Sequence, residues 1–172
     1  MRRIITLSII ALVIAGGIRL ATYAGNGSID PEDKNQVLSN AVMTTLDGTE
    51  VTLQDYTGKT VLIDIWETWC TPCLRSMPTL QQLVEDFPDD FVVLAVSPGY
   101  MDSPEQIREF IDNHDYDFEF LFGEDLARDL NVQSIPFKVY VDPEGQYIES
   151  VMGTQGPEQD YEKTRKIIQQ NM

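Results

Sequence analysis

The chain has 172 residues, enough for one domain with a substantial core, and 42% of them are hydrophobic. Its formal net charge at pH 7 is −16. Because the first 24 residues contain three arginines and no acid, the other 9 basic and 28 acidic residues carry −19. An excess of negative charge this large argues against nucleic acid as a partner. It leaves two explanations, a solvated surface or attraction of a basic partner.

The N-terminal segment has the pattern of an export signal. Arg2 and Arg3 precede a mostly apolar run over residues 4–18. If a helix continued to residue 24, it would just cross a hydrocarbon core of about 30 Å, with Arg19 at the outer interface. We expect residues 1–24 to be an uncleaved signal anchor, in preference to a cleaved signal peptide. In both cases the domain that follows faces the periplasm or the outer side of the cytoplasmic membrane.

Residues 25–36 are polar and contain Gly, Asn, Asp and Pro, which predicts a linker ahead of a domain over residues 37–172. A hairpin is predicted around the Asp47-Gly48 turn, and the rest of the domain alternates between strand and helix patterns. The predicted strands cover residues 60–66, 91–96, 118–122, 137–141 and 147–152. The predicted helices cover residues 71–87, 103–114, 124–130 and 157–170. This order indicates an α/β fold.

The two cysteines of the chain, Cys70 and Cys73, lie at the junction of a predicted buried strand and a predicted helix. Their spacing places them within one turn, close enough for a disulfide. The helix N-terminus favours the Cys70 thiolate, and Pro72, which lacks an N–H, suits the first turn. An inert disulfide would stabilise little across so short a loop. A zinc site would lack ligands, since His114 is the one histidine of the sequence. Thiol–disulfide exchange is therefore the expected chemistry.

The segment from Trp66 to Cys73 resembles the active-site segment of the thioredoxin superfamily. Over residues 37–170 the chain resembles the extracytoplasmic TlpA/ResA-like branch of that superfamily. The further motifs that carry the resemblance are Asp47-Gly48, Gly58-Lys59, Pro78 and Ile135-Pro136. The resemblance implies an α/β, thioredoxin-like three-layer fold, with a central mixed sheet, helices on both faces and an N-terminal β-hairpin.

The resemblance also implies a role for each cysteine: Cys70 attacks the substrate, and Cys73 resolves the mixed disulfide. Asp64, six residues before Cys70 in a predicted buried strand, matches the acid that accepts the proton of the resolving cysteine in thioredoxins. A structural acid bonded to backbone or water is the alternative. Burying a carboxylate costs free energy, and an amide of the same size removes that cost. Asp64→Asn is therefore expected to preserve the fold and to keep or raise its stability.

The residues expected to contact substrate are Trp69, Ile135 and Pro136. The Ile135-Pro136 pair resembles the cis-proline loop that faces the cysteines and exposes backbone for pairing with a substrate strand. Four other residues are expected to shape the site: Trp66, Glu67, Thr71 and Pro72. Trp66 is assigned to packing. Glu67 is expected to be solvated, with electrostatic tuning of the thiols as the alternative.

These inferences lead to one expected function and two alternatives. The expected function is that of an extracytoplasmic thiol:disulfide oxidoreductase that reduces protein disulfides. It would use no bound cofactor and no metal, and would receive electrons from a membrane thiol reductant. Ser76 occupies a position at which cytochrome-maturation members of the branch often have Glu, which argues against that specialised role. The alternatives are a disulfide oxidase or isomerase, and a redox-inactive or metal-handling binding module.

Overall fold

The computed structural model describes residues 30–172. The predicted signal segment and the first part of the predicted linker lie outside the described residues. The rest of that linker is not extended, because helix α1, Pro31–Ser39, runs across the expected domain boundary. Pro31 at the helix start and two acids in the first turn suit a helix N-terminus, and Leu38 is buried. No helix within residues 30–172 is long and apolar enough to cross a membrane.

The elements after α1 follow the predicted order. The strands are β1 Met43–Thr45, β2 Glu50–Val51, β3 Thr60–Ile65, β4 Phe91–Ser97, β5 Glu119–Phe122, β6 Phe137–Val141 and β7 Tyr147–Met152. The helices are α2 Thr71–Asp86, α3 Pro104–Asp112, α4 Glu124–Asp129 and α5 Pro157–Gln170, and a short 3-10 helix covers Leu53–Tyr56. The predicted bounds of β6, β7 and α5 are confirmed, and the other predicted strands and helices differ by one or two residues at one end or, for α3, at both ends.

The seven strands form one mixed sheet in the order β2-β1-β5-β4-β3-β6-β7. Strands β3, β4 and β5 are parallel to their neighbours in this group, whereas β6 pairs antiparallel with β3, and β7 antiparallel with β6. The hairpin of β1 and β2 adds to the free edge of β5. The expected central mixed sheet with an N-terminal hairpin is therefore confirmed.

Helices cover both faces of the sheet. One hydrophobic cluster joins α1 and α4 to one face, and a second joins α2, α3 and α5 to the other. Side chains alternate along β3, so that Ile63 and Ile65 enter the first cluster while Leu62 and Trp66 enter the second. Asp64 stands between Leu62 and Trp66 in this alternation. Its carboxyl group is therefore directed to the face covered by α2, the helix that carries the second cysteine.

Candidate active site

Cys70 and Cys73 form a disulfide at the start of α2, with their Cα atoms 5.2 Å apart. Cys70 is the N-cap residue of the helix, and its sulfur accepts a hydrogen bond from the Cys73 amide at 3.3 Å. Exposed Thr71 and half-buried Pro72 complete the first turn, as the sequence predicts. Cys70 keeps 3% of its surface accessible and Cys73 none. Cys70 is thus the more exposed of the two, as expected if Cys70 attacks the substrate and Cys73 resolves the mixed disulfide.

A buried ion pair lies on the same face of the sheet as the cysteines. Asp64 and Lys138 are cross-strand partners in β3 and β6, and the Lys138 Nζ lies 3.5 Å from the Asp64 Oδ1. Their side chains are 1% and 3% exposed. Burial raises the pKa of Asp64 above its ordinary value, and the positive charge of Lys138 opposes that rise. The N–O distance of 3.5 Å is long for a hydrogen bond, so the contact between Lys138 and Asp64 is an ion pair with at most a weak hydrogen bond.

Lys138 also connects this ion pair to the active-site helix. Its ammonium group lies 3.5 Å from the Ser76 hydroxyl, which donates a hydrogen bond of 2.8 Å to the Cys73 carbonyl oxygen. Sequence analysis identified Asp64 and missed Lys138. The available signal was a lysine in the middle of the otherwise apolar strand that antiparallel pairing brings beside Asp64, and Lys is seldom buried without a partner.

The expectation that Glu67 is solvated is wrong, because its side chain is 1% exposed. Its carboxylate accepts hydrogen bonds from the backbone amides of Tyr100 at 3.2 Å and Asp102 at 2.9 Å, in the loop after β4. Burial and the neighbouring Asp102 carboxylate raise the pKa of Glu67, although the amides oppose this. Glu67 is thus an anchor for a loop that sequence analysis did not connect with the site.

Asp102, in the loop after β4, in turn binds the active-site segment through its carboxylate. Its carboxylate accepts hydrogen bonds from the Thr68 hydroxyl at 2.7 Å and from the Thr68 amide. Asp102 is 5% exposed. The segment that leads into Cys70 is therefore held to the loop after β4 by two buried carboxylates, one from each side. Asp102 carried no signal in the sequence beyond its place two residues before a helix start.

The two tryptophans of the motif have different environments. Trp66 is fully buried, and its ring packs 4.9 Å from that of Phe110 and 5.7 Å from that of Phe120, as its packing assignment requires. Trp69, directly before Cys70, is 58% exposed. Trp69 borders a cleft of about 170 Å³ that also includes Ile135. An exposed aromatic wall next to the cysteines is consistent with a contact surface.

The Ile135-Pro136 peptide bond is cis, in agreement with the resemblance. Ile135 packs against the hydrophobic cluster that includes both cysteines. Two of the three residues predicted to contact substrate, Trp69 and Ile135, line the same cleft, and Trp69 directly precedes Cys70. Within residues 30–172, no group of three or more His, Cys, Asp or Glu side chains is arranged to hold a metal ion.

A disulfide at the N-terminus of the first long helix, on a mixed sheet with helices on both faces, defines a thioredoxin-like thiol:disulfide oxidoreductase. The chain belongs to the AhpC/TSA family, whose sequence profile matches residues 35–170. Two curated relatives support the same class. The thiol-disulfide oxidoreductase ResA of Bacillus cereus is 28% identical over 165 residues, which cover 92% of this chain and 93% of the relative. The thioredoxin-like protein YneN of Bacillus subtilis is 36% identical over 112 residues, or 64% of this chain and 66% of the relative.

Solved structures with the same fold include an exposed lipoprotein thioredoxin of Streptococcus pneumoniae, with a TM-score of 0.61 and 27% identity. The match covers 73% of this chain and 97% of that one. StoA of Bacillus subtilis superposes with a TM-score of 0.58 at 22% identity, over 72% of this chain and 94% of StoA. These likenesses confirm the fold, and the curated relatives establish the oxidoreductase class.

Proposed function

We propose that this protein is an extracytoplasmic thiol:disulfide oxidoreductase that reduces disulfides in protein substrates. The observation that carries the proposal is the placement of the cysteines. Cys70 lies at the edge of the surface, at a helix N-terminus, and the fully buried Cys73 belongs to the helix over the Asp64–Lys138 ion pair. One thiol can thus meet a large substrate, while the other is kept for the step that releases it.

The reaction has two displacement steps. The Cys70 thiolate attacks one sulfur of the substrate disulfide, forming a Cys70–substrate mixed disulfide and releasing the first substrate sulfur as a thiolate, which takes up a proton. Cys73 then loses its proton, and its thiolate attacks the Cys70 sulfur. This forms the Cys70–Cys73 disulfide and releases the second substrate thiolate. Two electrons pass from the protein dithiol to the substrate.

Each step has an environment suited to it. The unpaired amides and dipole at the start of α2 stabilise the Cys70 thiolate. The proton of Cys73 goes to Asp64, directly or through one water, because Asp64 is a buried titratable group on the face below α2. Lys138 favours the ionised, proton-accepting form of Asp64. No cofactor is needed, since the dithiol carries the electrons.

The proposed direction of electron flow, from the protein dithiol to the substrate, is supported by the charges expected around the cysteines. A helix N-terminus stabilises a thiolate, whereas the acidic residues Asp64 and Glu67 that precede Cys70 in the sequence work against a strongly oxidising pair, so Cys70 is expected to resemble the thiol of a reductant. We expect a reduction potential closer to about −270 mV than to the about −120 mV of a strong oxidant. A value near the latter would favour the alternative of a disulfide oxidase.

The N-terminal pattern supports export, with the segment 1–24 as anchor or signal. Because an oxidising compartment cannot recharge a dithiol, a membrane thiol reductant is the proposed electron donor. Fractionation of cells tests the location. If the protein is found in the soluble cytoplasm, both the location and the membrane donor are wrong, while the chemistry of the cysteine pair stands.

The decisive test of function is covalent trapping. Cys73→Ser blocks the second step, so this variant should accumulate mixed disulfides with substrate proteins, visible as reductant-sensitive bands and identified by mass spectrometry. Cys70→Ser is the matched control and should trap few partners or none. Equal trapping by both variants would contradict the assignment of Cys70 as the nucleophile. Absence of complexes with both variants, together with no reduction of model disulfides by the parent protein, would favour a redox-inactive module.

A further inference from the structure

Two buried carboxylates that the proposed reaction does not use join the loop after β4 to the segment that leads into Cys70. Glu67 is 1% exposed and Asp102 is 5% exposed. Glu67 accepts hydrogen bonds from the backbone amides of Tyr100 and Asp102, and Asp102 accepts from the amide and hydroxyl of Thr68. We call these two carboxylates and their four hydrogen bonds the Glu67–Asp102 clasp. Each carboxylate thus binds the backbone of the segment that carries the other one.

The clasp contains two acids and no cation. Within residues 30–172, neither Glu67 nor Asp102 forms an ion pair. Burying a carboxylate without a cation costs free energy, and its hydrogen bonds to amides and hydroxyls offset part of that cost. A loop could be joined to a strand end at a lower cost by apolar packing. Two buried acids beside a reactive cysteine are therefore candidates for a role in its chemistry.

The clasp holds the turn that ends at Cys70. The sheet bond nearest to this turn runs from the Trp66 amide to the Val96 carbonyl at 3.1 Å, and the Cys70 amide bonds to the Glu67 carbonyl at 3.0 Å, which closes a turn over residues 67–70. Beyond the clasp, the hydrogen bonds of the described chain add one long contact from this turn to another element, 3.5 Å from the Ser97 hydroxyl to Glu67. The position of the turn relative to the sheet therefore depends on the clasp.

The position of the turn in turn affects the Cys70 sulfur. Cys70 is the N-cap of α2, and its sulfur accepts a hydrogen bond from the Cys73 amide at 3.3 Å. Stabilisation of a thiolate by the amides of a helix end depends on distance and direction and is confined to the first turn. Reduction breaks the disulfide that links the two sulfurs. In the reduced protein, the placement of Cys70 therefore relies on the turn that precedes it.

We propose that the Glu67–Asp102 clasp positions the Cys70 sulfur at the N-terminus of α2 in the reduced protein, and thereby increases its thiolate fraction and its rate of attack. This inference rests on the assignment of Cys70 as the nucleophile in the proposed function. Glu67 and Asp102 are positioning residues, because they act through the backbone of the turn. Their negative charge acts in the opposite direction, since a nearby carboxylate destabilises a thiolate. The test must therefore separate the hydrogen bonds of the clasp from its charge.

Asp102→Ala and Asp102→Asn remove the same charge but differ in hydrogen bonding, because the amide oxygen of Asn can still accept from Thr68. The rate of Cys70 alkylation by iodoacetamide is measured against pH in the reduced full chain in detergent, in a Cys73→Ser background. At neutral pH, Asp102→Ala should react about 5–10 times more slowly than Asp102→Asn, because the thiolate loses stabilisation by the helix end. Its rate should also reach half of the maximum at a higher pH.

The reduction potential provides a second readout, measured by equilibration of the proteins that keep both cysteines with glutathione. A less stable thiolate makes the reduced form less stable. Asp102→Ala should therefore be more reducing than Asp102→Asn by up to about 30 mV, which corresponds to a tenfold change in the equilibrium constant. A clasp that served only to stabilise the fold would lower the free energy of unfolding and leave the difference in potential at zero.

Two further variants provide a charge-neutral test and a matched control. Thr68→Val removes the hydroxyl donor and changes no charge, so it should slow alkylation relative to the parent protein. Asp55 accepts from the Thr52 amide at 2.8 Å and the Thr52 hydroxyl at 3.0 Å, in the 3-10 helix before β3. This repeats the contact between Asp102 and Thr68 at the opposite end of β3. Asp55→Ala should leave the alkylation rate and the potential unchanged.

The outcomes separate this inference from the proposed function. Equal alkylation rates for Asp102→Ala and Asp102→Asn would overturn the positioning role, and so would a faster rate for Asp102→Ala. If Asp102→Ala does not fold, Thr68→Val decides, and a rate equal to that of the parent protein would overturn the proposal. If the parent protein reduces no model disulfide while the alkylation rates differ as expected, the proposed function fails and the positioning of the Cys70 thiolate stands.

Discussion

Replacing one member of the Asp64–Lys138 pair should destabilise the protein strongly, whereas replacing both should not. At 3.5 Å and an effective dielectric constant of about 20, the two charges attract by about 5 kcal/mol. Desolvation offsets much of this attraction in the intact pair. A single substitution leaves the remaining charge buried without its partner, so Asp64→Asn and Lys138→Met should each cost about 3–5 kcal/mol.

The double variant Asp64→Asn/Lys138→Met should fall within about 1–2 kcal/mol of the parent protein, because it leaves no unpaired charge. The free energy of unfolding is measured in urea for four oxidised proteins: the parent, the two single variants and the double variant. These four values form a double-mutant cycle that gives the coupling energy of the pair. A matched control is the surface pair Lys163–Glu149, which has an N–O distance of 2.9 Å and side chains 35% and 40% exposed. The coupling energy between Lys163 and Glu149, measured by the same kind of cycle, should remain below about 1 kcal/mol. If the buried pair couples no more strongly than this control, the ion-pair interpretation is wrong.

The same variants separate stability from catalysis. Burial raises the pKa of Asp64 and Lys138 lowers it, so Lys138→Met should shift the pKa further upwards. The second displacement step, followed in single-turnover experiments, should then reach its maximal rate at a higher pH than in the parent protein. Asp64→Asn should remove that pH step and slow the reaction. Identical pH profiles for the three proteins would reduce Asp64 to a structural acid.

Two further predictions concern residues around the site. The pKa of Glu67 is raised in the folded protein, so the stability it contributes is fully present below its unfolded pKa of about 4.3 and is lost as the pH rises through the folded value. The free energy of unfolding of Glu67→Gln, relative to that of the parent protein, should therefore increase with pH over this range when both are measured by urea titration. A difference that stays constant or falls with pH would contradict a raised pKa for Glu67. Gly123→Ala would place a Cβ 2.7 Å from the Val96 Cγ1, which is too close, and should lower the free energy of unfolding by about 1–3 kcal/mol. The melting temperature tests this, and an unchanged value would show that the backbone around Gly123 shifts without cost.

Local patterns predicted most elements because the cause of each element is local. The turn at Asp142-Pro143-Glu144-Gly145 separates β6 from β7, and the Gly145 amide bonds back to the Asp142 carbonyl as expected of a β-turn. Ser103 and Gln106 form a capping box at the start of α3. Helix α1 was missed because its sequence is polar, with Leu38 as its one buried residue, and resembles a linker until the domain supplies the surface that buries it.

The environment of the cysteines was harder to predict than the cysteines themselves. Asp64→Asn was expected to hold or raise stability, and Lys138 reverses that expectation. An isolated buried carboxylate is costly, whereas one paired with a buried ammonium is costly to remove. Glu67 was expected to be solvated, since nothing near it in the sequence supplies donors. The amides that it binds lie in a loop more than thirty positions away, at a separation of 35 residues for Asp102.

The sequence by itself determined the redox pair, the strand and helix that carry it, and the order of elements that builds a thioredoxin-like sheet. Those features depend on spacing, periodicity and turn residues, which are properties of neighbouring positions. Tertiary structure alone decided that Lys138 meets Asp64, that Glu67 and Asp102 hold two loops together, and that Tyr100 borders a cleft beside Trp69. Each of these depends on strand register or loop packing that brings distant residues together. A charged residue in a sequence does not specify which distant partner will balance its charge once water is excluded.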